Sequence, residues 1–243
     1  MSTQQIAGKR ILVTGGTTGI GRETVKLLAG MRARLLTFGR HAPELGDALA
    51  YAALPEEAGL VADAAKREDI DTVFAAVDER LGGIDALVAC AGLGAQPIFE
   101  MAEEDWRTVV ETNLMGYMAC ARAAIRRMEA SGGGHLLFVG SISPHIKAPG
   151  ESVYAATKAG VEGFAETLRK EVAEKNIRVT LVEPGSVDTD MQQCSEDEKR
   201  AAVARQAMLH ACDIAEGIAF ALTRPERCDV LTLRIEPRFQ KTA

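Results

Sequence analysis

The feature that most constrains the fold is a short apolar run that ends in a glycine cluster near the N-terminus. Residues 9–14 precede Gly15-Gly16-Thr17-Thr18-Gly19-Ile20-Gly21, and a helical stretch runs from Arg22 to about Gly30. A strand, a glycine turn and a helix in this order bring backbone N–H groups and a helix N-terminus against a phosphate. The spacing Gly-x-x-x-Gly-x-Gly is not the common Gly-x-Gly-x-x-Gly fingerprint, but its position predicts a nucleotide-binding loop.

Three glycines of this loop have separate predicted tasks. Gly15 permits the tight turn, Gly19 lets the backbone approach a pyrophosphate, and Gly21 lets the helix pack on the strand.

The rest of the chain alternates between short apolar runs and helical periods. Further strands are predicted at residues 34–38, 59–62, 84–92, 135–139, 177–182 and 230–235. Helices are predicted at residues 42–53, 66–80, 103–129, 154–175, 195–210 and 213–222. This alternation predicts one α/β domain over residues 1–243, with a parallel sheet of about seven strands and helices on both faces.

Composition excludes several classes of protein. The formal net charge is −6 and only 5% of residues are aromatic, so no nucleic-acid partner is expected. No apolar run approaches the ~20 residues of a membrane helix, and the start has no signal-peptide pattern, so no membrane association is expected. The five cysteines are odd in number and lack metal-ligand spacing, which predicts a cytoplasmic protein without a metal site.

The end of the second strand bears on cofactor choice. It runs into Gly39 and Arg40 with no acidic residue, and an arginine there suits a 2′-phosphate. We therefore predict NADP(H) over NAD(H), with a solvated surface arginine as the alternative. Asp63 ends the third strand, where it would contact the adenine or begin the next loop.

Tyr154 and Lys158 stand four residues apart and so share one helical face. A neighbouring cation favours the phenolate and is expected to lower the pKa of the tyrosine from its usual value of about 10. A phenol tuned in this way exchanges a proton with an alcohol oxygen. Taken alone, the pair could equally be a tyrosine and a lysine on a wet helix face.

Two other polar residues lie near this predicted centre. Ser141 follows the fifth strand, at the sheet edge where ligands bind in doubly wound folds. Asn113 and Gly116 are weak helix formers inside residues 103–129, which predicts a local irregularity there. Without further context, a surface residue on a long helix is the favoured interpretation of Asn113.

Together these residues resemble the short-chain dehydrogenase/reductase family, NAD(P)-dependent oxidoreductases with a Rossmann-like fold. The resemblance covers about residues 9–185. It rests on the order and spacing of the following positions: Gly15–Gly21, Asp63, Ala91-Gly92, Asn113, Ser141, Tyr154, Lys158 and Pro184-Gly185.

The resemblance implies roles for individual residues. Tyr154 would be the general acid or base, and Lys158 would lower its pKa and bind the nicotinamide ribose. Ser141 would bind the substrate carbonyl, and Asn113 would hold a water that links Lys158 to solvent. Thr189 would bind the carboxamide. The full set of expected cofactor contacts is Gly15, Thr17, Thr18, Gly19, Ile20, Gly21, Arg40, Asp63, Ala91, Gly92, Tyr154, Lys158, Pro184, Gly185, Val187 and Thr189.

The sequence departs from the family pattern in three places. Ala89 and Cys90 stand where two asparagines are usual. Thr17 and Thr18 occupy loop positions where NADP-preferring members often carry a basic residue. The tail after residue 234 lacks the usual glycine-rich ending.

The expected substrate is a small carbonyl compound or alcohol. Its predicted contacts are Ser141, Ser143, His145, Gln96 and Met191, under a lid of about residues 186–212 that we expect to move. His145 is equally consistent with a solvated loop residue.

Two alternatives stay open. One is an NAD-dependent 3-hydroxy acid or 3-oxoacyl reductase, in which Arg126, Arg127 and Lys147 meet an acidic carrier. The other is a nicotinamide-binding redox sensor without turnover. The resemblance also implies a homodimer or homotetramer, paired through the helices predicted at residues 103–129 and 152–175.

Overall fold

The computed structural model describes residues 6–240. Within that span, seven strands form one parallel sheet in the order β3-β2-β1-β4-β5-β6-β7. The strands are β1 Arg10–Thr14, β2 Arg34–Gly39, β3 Gly59–Val61, β4 Ala86–Ala89, β5 Gly134–Val139, β6 Ile177–Pro184 and β7 Thr232–Ile235. The predicted fold class is therefore confirmed.

Helices connect the strands and cover both faces of the sheet. They are α1 Gly19–Gly30, α2 Ala42–Tyr51, α3 Arg67–Ala76, α4 Glu103–Val110, α5 Gly116–Ala130, α6 Ser143–Ile146, α7 Ser152–Val172, α8 Glu196–Ala204 and α9 Ala211–Leu222. No helix in the described part of the chain is long and apolar enough to cross a membrane.

The core lies in two layers, one on each face. Leu12 of β1 belongs to the layer shared with α3, α5 and α7, whereas Ile11 and Val13 belong to the layer shared with α1 and α9. Strand residues alternate between faces, so one buried strand serves both layers. The strand order reverses between β1 and β4, which opens a crevice at their carboxyl ends.

The predicted irregularity around Asn113 is a turn of π-helix. Residues Glu111–Met115 form this wider turn between α4 and α5. Asn113 is fully buried there, so it is not a surface residue. Gly116 is the first residue of α5 and packs against the carbonyl of Ala64. A Cβ on Gly116 would lie 2.6 Å from that oxygen, which leaves no room for a side chain.

Some predicted boundaries were wrong. The helix predicted at residues 195–210 ends at Ala204, because Gln206 adopts a left-handed conformation with φ of +59°. Its predicted start is confirmed: Ser195 and Glu198 form a capping box. The short helix α6 was not predicted, since Ser143-Pro144-His145-Ile146 spans only one turn.

Thr14 ties β1 to the end of β4. Its hydroxyl oxygen accepts the backbone N–H groups of Cys90 and Ala91 at 3.1 and 3.0 Å. Ala89 and Cys90 are two of the positions that depart from the family pattern, and neither side chain is an amide. The buried Thr14 hydroxyl therefore satisfies backbone groups at this junction.

We expect Thr14→Val to lower the free energy of unfolding by about 1–3 kcal/mol, because two partly buried N–H groups lose their acceptor. Urea unfolding followed by circular dichroism measures the change. Thr14→Ser keeps the hydroxyl and is the control. Equal stability of the valine variant and the wild type would contradict this role.

The second residue of β5 is a buried histidine. The His135 Nε2 atom lies 2.8 Å from the Thr180 hydroxyl, which itself donates to the carbonyl of Val230. Nε2 must therefore carry the proton, and Nδ1 is a buried acceptor with no partner among the described residues. Burial, assisted by the charge of Arg178, lowers the pKa of His135 to about 3.

This depressed pKa makes stability depend on pH. The unfolded chain protonates His135 near pH 6.5 whereas the folded chain does not, so acid favours unfolding between those pKa values. When the pH falls from 7.5 to 5.5, the free energy of unfolding of the wild type should fall by about 1.4 kcal/mol more than that of His135→Gln. The glutamine retains a donor for Thr180. Parallel urea titrations at both pH values test this, and identical losses would refute it.

Candidate active site

The glycine loop lies between β1 and α1, at the carboxyl edge of the sheet. Gly15 has φ of +66°, a conformation that strains other residues, and a Cβ there would lie 2.6 Å from the Cα of Ala91. A Cβ on Gly21 would lie 2.1 Å from the carbonyl oxygen of Gly15. The tight turn and the close packing predicted for these two glycines are both present.

The N-terminus of α1 has the character of an anion site. Thr18 makes no side-chain capping bond, and no acidic residue occupies the first turn. The buried Nε of Arg22 has no hydrogen-bond partner in the described structure. Free N–H groups, a helix dipole and an unpaired guanidinium nitrogen fit the diphosphate of a dinucleotide. Ile20, in the same turn, packs against the core layer of α1 and α9.

The end of β2 approaches the same loop. A Cβ on Gly39 would lie 2.3 Å from the Thr17 methyl group, so any side chain there would require Thr17 to move. The next residue, Arg40, is exposed and makes no hydrogen bond or ion pair within residues 6–240. Asp63 caps its own turn, since its carboxylate accepts the N–H of Ala65 at 3.0 Å.

Tyr154 and Lys158 lie one turn apart at the start of α7. The Lys158 ammonium is buried and donates to the carbonyl oxygen of Val139 at 2.9 Å. It lies 5.6 Å from the ring centre of Tyr154 and 5.2 Å from that of Tyr117. The Tyr117 hydroxyl donates to the same Val139 oxygen at 3.1 Å.

The predicted lowering of the Tyr154 pKa is wrong for this structure. Burial raises the pKa of Tyr154 to about 12; a hydrogen bond with Ser141 opposes the rise, and the Glu151 charge adds to it. Lys158 is not among the causes of the shift. Burial also lowers the pKa of Lys158 to about 8, because the ammonium has lost its water.

The Asn113 amide holds the chain that follows β4. Its Oδ1 accepts the N–H of Leu93 and its Nδ2 donates to the carbonyl of Leu93, both at 2.8 Å. A Cβ on Gly92 would lie 3.7 Å from Asn113 Oδ1 and 3.9 Å from Lys158 Nζ. Asn113, Gly92 and Lys158 therefore converge at one point.

Ser141 begins a chain of hydroxyl groups. Its Oγ donates to the Ser143 Oγ at 3.1 Å, and the Ser143 hydroxyl donates to the Glu151 carboxylate at 3.0 Å. Ser141 also accepts the N–H of Ser143. Ser141 also acts to lower the pKa of Tyr154, so it connects this chain of hydroxyl groups to the phenol.

The other predicted substrate residues are less clearly grouped. The His145 Nε2 lies 3.0 Å from the buried carboxylate of Glu183, and Arg234 pairs with the other oxygen of that carboxylate at 3.1 Å. This ring is thus engaged with β6 rather than with Tyr154 or Ser141. Gln96 and Met191 are exposed, and a Cβ on Gly94 would lie 3.3 Å from Met191.

The base of the predicted lid is tied to the C-terminal tail. Beyond Pro184 and Gly185, the Ser186 N–H donates to the Gln240 side chain at 2.8 Å, and Gln240 donates back to the Ser186 hydroxyl. Val187 forms a bridge with Leu209. Further along, Thr189 faces the glycine loop, 2.9 Å from where a Cβ of Gly19 would lie.

Three residues of this region were missed at the sequence level. Tyr117 lies four residues after Asn113, so its place beside the site was readable from helical spacing. Glu151 precedes Tyr154 by three residues, but nothing in the sequence indicated its bond to Ser143. The contact of Gln240 with Ser186 joins distant parts of the chain and left no local signal.

Comparisons with known proteins agree with this geometry. The family model for short chain dehydrogenases matches residues 9–200. The 3-oxoacyl-[acyl-carrier-protein] reductase FabG of Vibrio cholerae is 34% identical over 227 residues, covering 91% of this chain and 92% of that protein. Carbonyl reductase family member 4 of Danio rerio is 39% identical over 183 residues, covering 74% and 76%.

A solved structure extends the likeness over the whole fold. The short chain dehydrogenase of Burkholderia cenocepacia J2315, in complex with NADP, superposes with a TM-score of 0.84 at 28% identity, covering 96% of this chain and 98% of that one. The family model and the two relatives confirm the predicted family, and with it the enzyme class. The chain belongs to the short-chain dehydrogenase/reductase family of oxidoreductases.

Proposed function

We propose that the protein is an NADP(H)-dependent oxidoreductase that interconverts a carbonyl compound and a secondary alcohol. The observation that carries the proposal is the cluster of Tyr154, its neighbour Ser141 and the buried Lys158 one helical turn away, which lies beside Asn113 and Gly92. A buried phenol, a hydroxyl donor and a buried cation suit proton transfer to an oxygen that gains charge.

The residues at the crevice fit a nicotinamide dinucleotide. The glycine loop and the uncapped start of α1 would hold the diphosphate, and Lys158 and Thr189 would hold the nicotinamide end. The bound cofactor supplies or accepts the hydride.

In reduction, Tyr154 gives its phenolic proton to the substrate oxygen, and Ser141 donates a hydrogen bond to the same atom. In oxidation, Tyr154 takes the alcohol proton back. Asn113 holds Leu93 and so fixes the wall beside Lys158. Exclusion of water from the cleft strengthens the hydrogen bonds that Tyr154 and Ser141 make to the substrate oxygen.

The raised pKa of Tyr154 sets the protonation state from which the reaction starts. A phenol with a pKa of about 12 is protonated throughout the neutral range, as a proton donor must be. Oxidation requires the phenolate, which burial and the charge of Glu151 both disfavour.

The preference for NADP(H) rests on Arg40. Its side chain is exposed, unpaired within the described residues, and one position beyond β2, where a 2′-phosphate would lie. Thr17 and Thr18 add no charge there. NAD(H) remains the alternative cofactor.

A second candidate function is 3-oxoacyl reduction, favoured by the likeness to the Vibrio enzyme. Of the three basic residues considered for an acidic carrier, Arg127 is engaged with Asp78 at 2.6 Å. Arg126 and Lys147 are exposed. Turnover of an acetoacetyl thioester bound to an acyl carrier, at a rate far above that of simple ketones, would favour this candidate.

We also propose a homo-oligomer in the cytoplasm. Phe99 is 85% exposed and Met115 is 56% exposed, apolar surface that a second copy could cover. All five cysteines lie within residues 6–240 and are free thiols, which suits a reducing compartment.

We expect Tyr154→Phe to reduce turnover by about 10²-fold or more, because it removes the transferable proton and leaves the ring. Cofactor oxidation with a panel of aldehydes and ketones measures the rate. Fluorescence transfer from Trp106 to the reduced cofactor checks that binding survives. An unchanged rate would overturn the mechanism, and binding without turnover in the wild type would favour the redox sensor.

We expect Arg40→Ala to weaken NADPH binding about 10-fold or more while leaving NADH binding nearly unchanged, since it removes a charge-assisted bond to the 2′-phosphate. Fluorescence titration with both cofactors measures the two affinities. Exposed Arg227, in the segment before β7, gives the matched control Arg227→Ala. Tighter binding of NADH than NADPH by the wild type would contradict the proposed preference.

A further inference from the structure

A carboxylate stands close to the proposed proton donor, and the mechanism described above gives it no role toward the substrate. Glu151 is the residue before α7, three positions ahead of Tyr154, and is half-buried. Its Oε2 accepts from the Ser143 hydroxyl at 3.0 Å, and the Ser143 hydroxyl accepts from Ser141 at 3.1 Å. Two hydroxyl groups therefore separate this carboxylate from the network around Tyr154.

No cation in the described part of the chain forms an ion pair with Glu151. Lys147, on the same connection between β5 and α7, is exposed and makes no ion pair. The Lys158 ammonium is bound to the carbonyl of Val139. The charge of Glu151 is felt at the site, since it contributes to the raised pKa of Tyr154.

We propose that Glu151 is a specificity-determining residue that disfavours substrates with an anionic group beside the reacting carbonyl. The favoured substrates are neutral or cationic ketones and the corresponding alcohols. This inference rests on the proposed carbonyl reduction, because it concerns the group next to the atom that Tyr154 protonates.

The physical reason is repulsion between like charges at short range. A carboxylate or phosphate on the carbon next to the carbonyl would enter the space lined by Ser141 and Ser143, beside Glu151. In a partly dehydrated site such repulsion is much stronger than in water. A hydroxyl or ammonium group in the same place would instead donate to the Glu151 carboxylate.

Three ketones of nearly equal size provide the test: hydroxyacetone is neutral, aminoacetone is cationic and pyruvate is anionic at pH 7. Reduction of each is followed by oxidation of NADPH, with NADH in parallel. Intrinsic reactivities differ, so the ratio of kcat/KM between variant and wild type is compared ketone by ketone.

Glu151→Gln keeps an acceptor for Ser143 and removes the charge. We expect kcat/KM for pyruvate to rise about 10-fold, that for aminoacetone to fall about 10-fold, and that for hydroxyacetone to change less than about 3-fold. Glu151→Asp keeps the charge and should keep the wild-type order of kcat/KM among the three ketones. Exposed Glu171 lies on α7 and has no partner in the described structure, so Glu171→Gln is the matched control.

The outcomes separate this inference from the proposed function. Turnover of hydroxyacetone with no charge-dependent change in Glu151→Gln overturns the role of Glu151 and leaves carbonyl reduction standing. The role of Glu151 is also overturned if Glu171→Gln shows the same charge-dependent change in kcat/KM. It is overturned as well if Glu151→Asp shows the kcat/KM ratios expected for Glu151→Gln. Equal loss with all three ketones in Glu151→Gln means a structural role and refutes selection by charge. No turnover of any carbonyl compound by the wild type overturns the proposed function and this inference together.

Discussion

The proposed active site depends on the carbonyl oxygen of Val139, the last residue of β5, which holds two buried side chains in place. It accepts from both the buried Lys158 ammonium and the buried Tyr117 hydroxyl. An ammonium without water is costly to bury unless it is bound, so this oxygen allows a cation to stay inside the protein. It also links the sheet to α7, which carries Tyr154, and to α5, which carries Tyr117. Loss of these two hydrogen bonds would displace both tyrosine rings.

Burial at this place has opposite effects on the two partners. It raises the pKa of the phenol and lowers that of the ammonium, so both neutral forms become easier to reach. The protein alone thus holds Tyr154 ready to donate a proton, with Ser141 already in contact.

The fold and much of the site were predictable because they depend on local patterns. The glycine loop follows from steric limits at Gly15 and Gly21, and the Tyr154–Lys158 pair follows from helical spacing. The predicted direction of the Tyr154 pKa was wrong, because sequence spacing gives the distance to a charge and not the extent of burial. His145 was grouped with the substrate residues from its position in a loop, but its ring direction depends on Glu183, 38 residues away. The bond between Glu151 and Ser143 depends likewise on how the connection after β5 folds back.

The tail that follows β7 is hydrogen-bonded to the lid segment. Gln240 closes a pair of hydrogen bonds with Ser186, and the Phe239 N–H donates to the carbonyl of Gln206 after α8. Ser186 at the start of the lid segment and Gln206 near its end are therefore both hydrogen-bonded to the last described residues of the chain. An addition fused directly after Gln240 would therefore lie beside the hydrogen bonds that hold the lid segment.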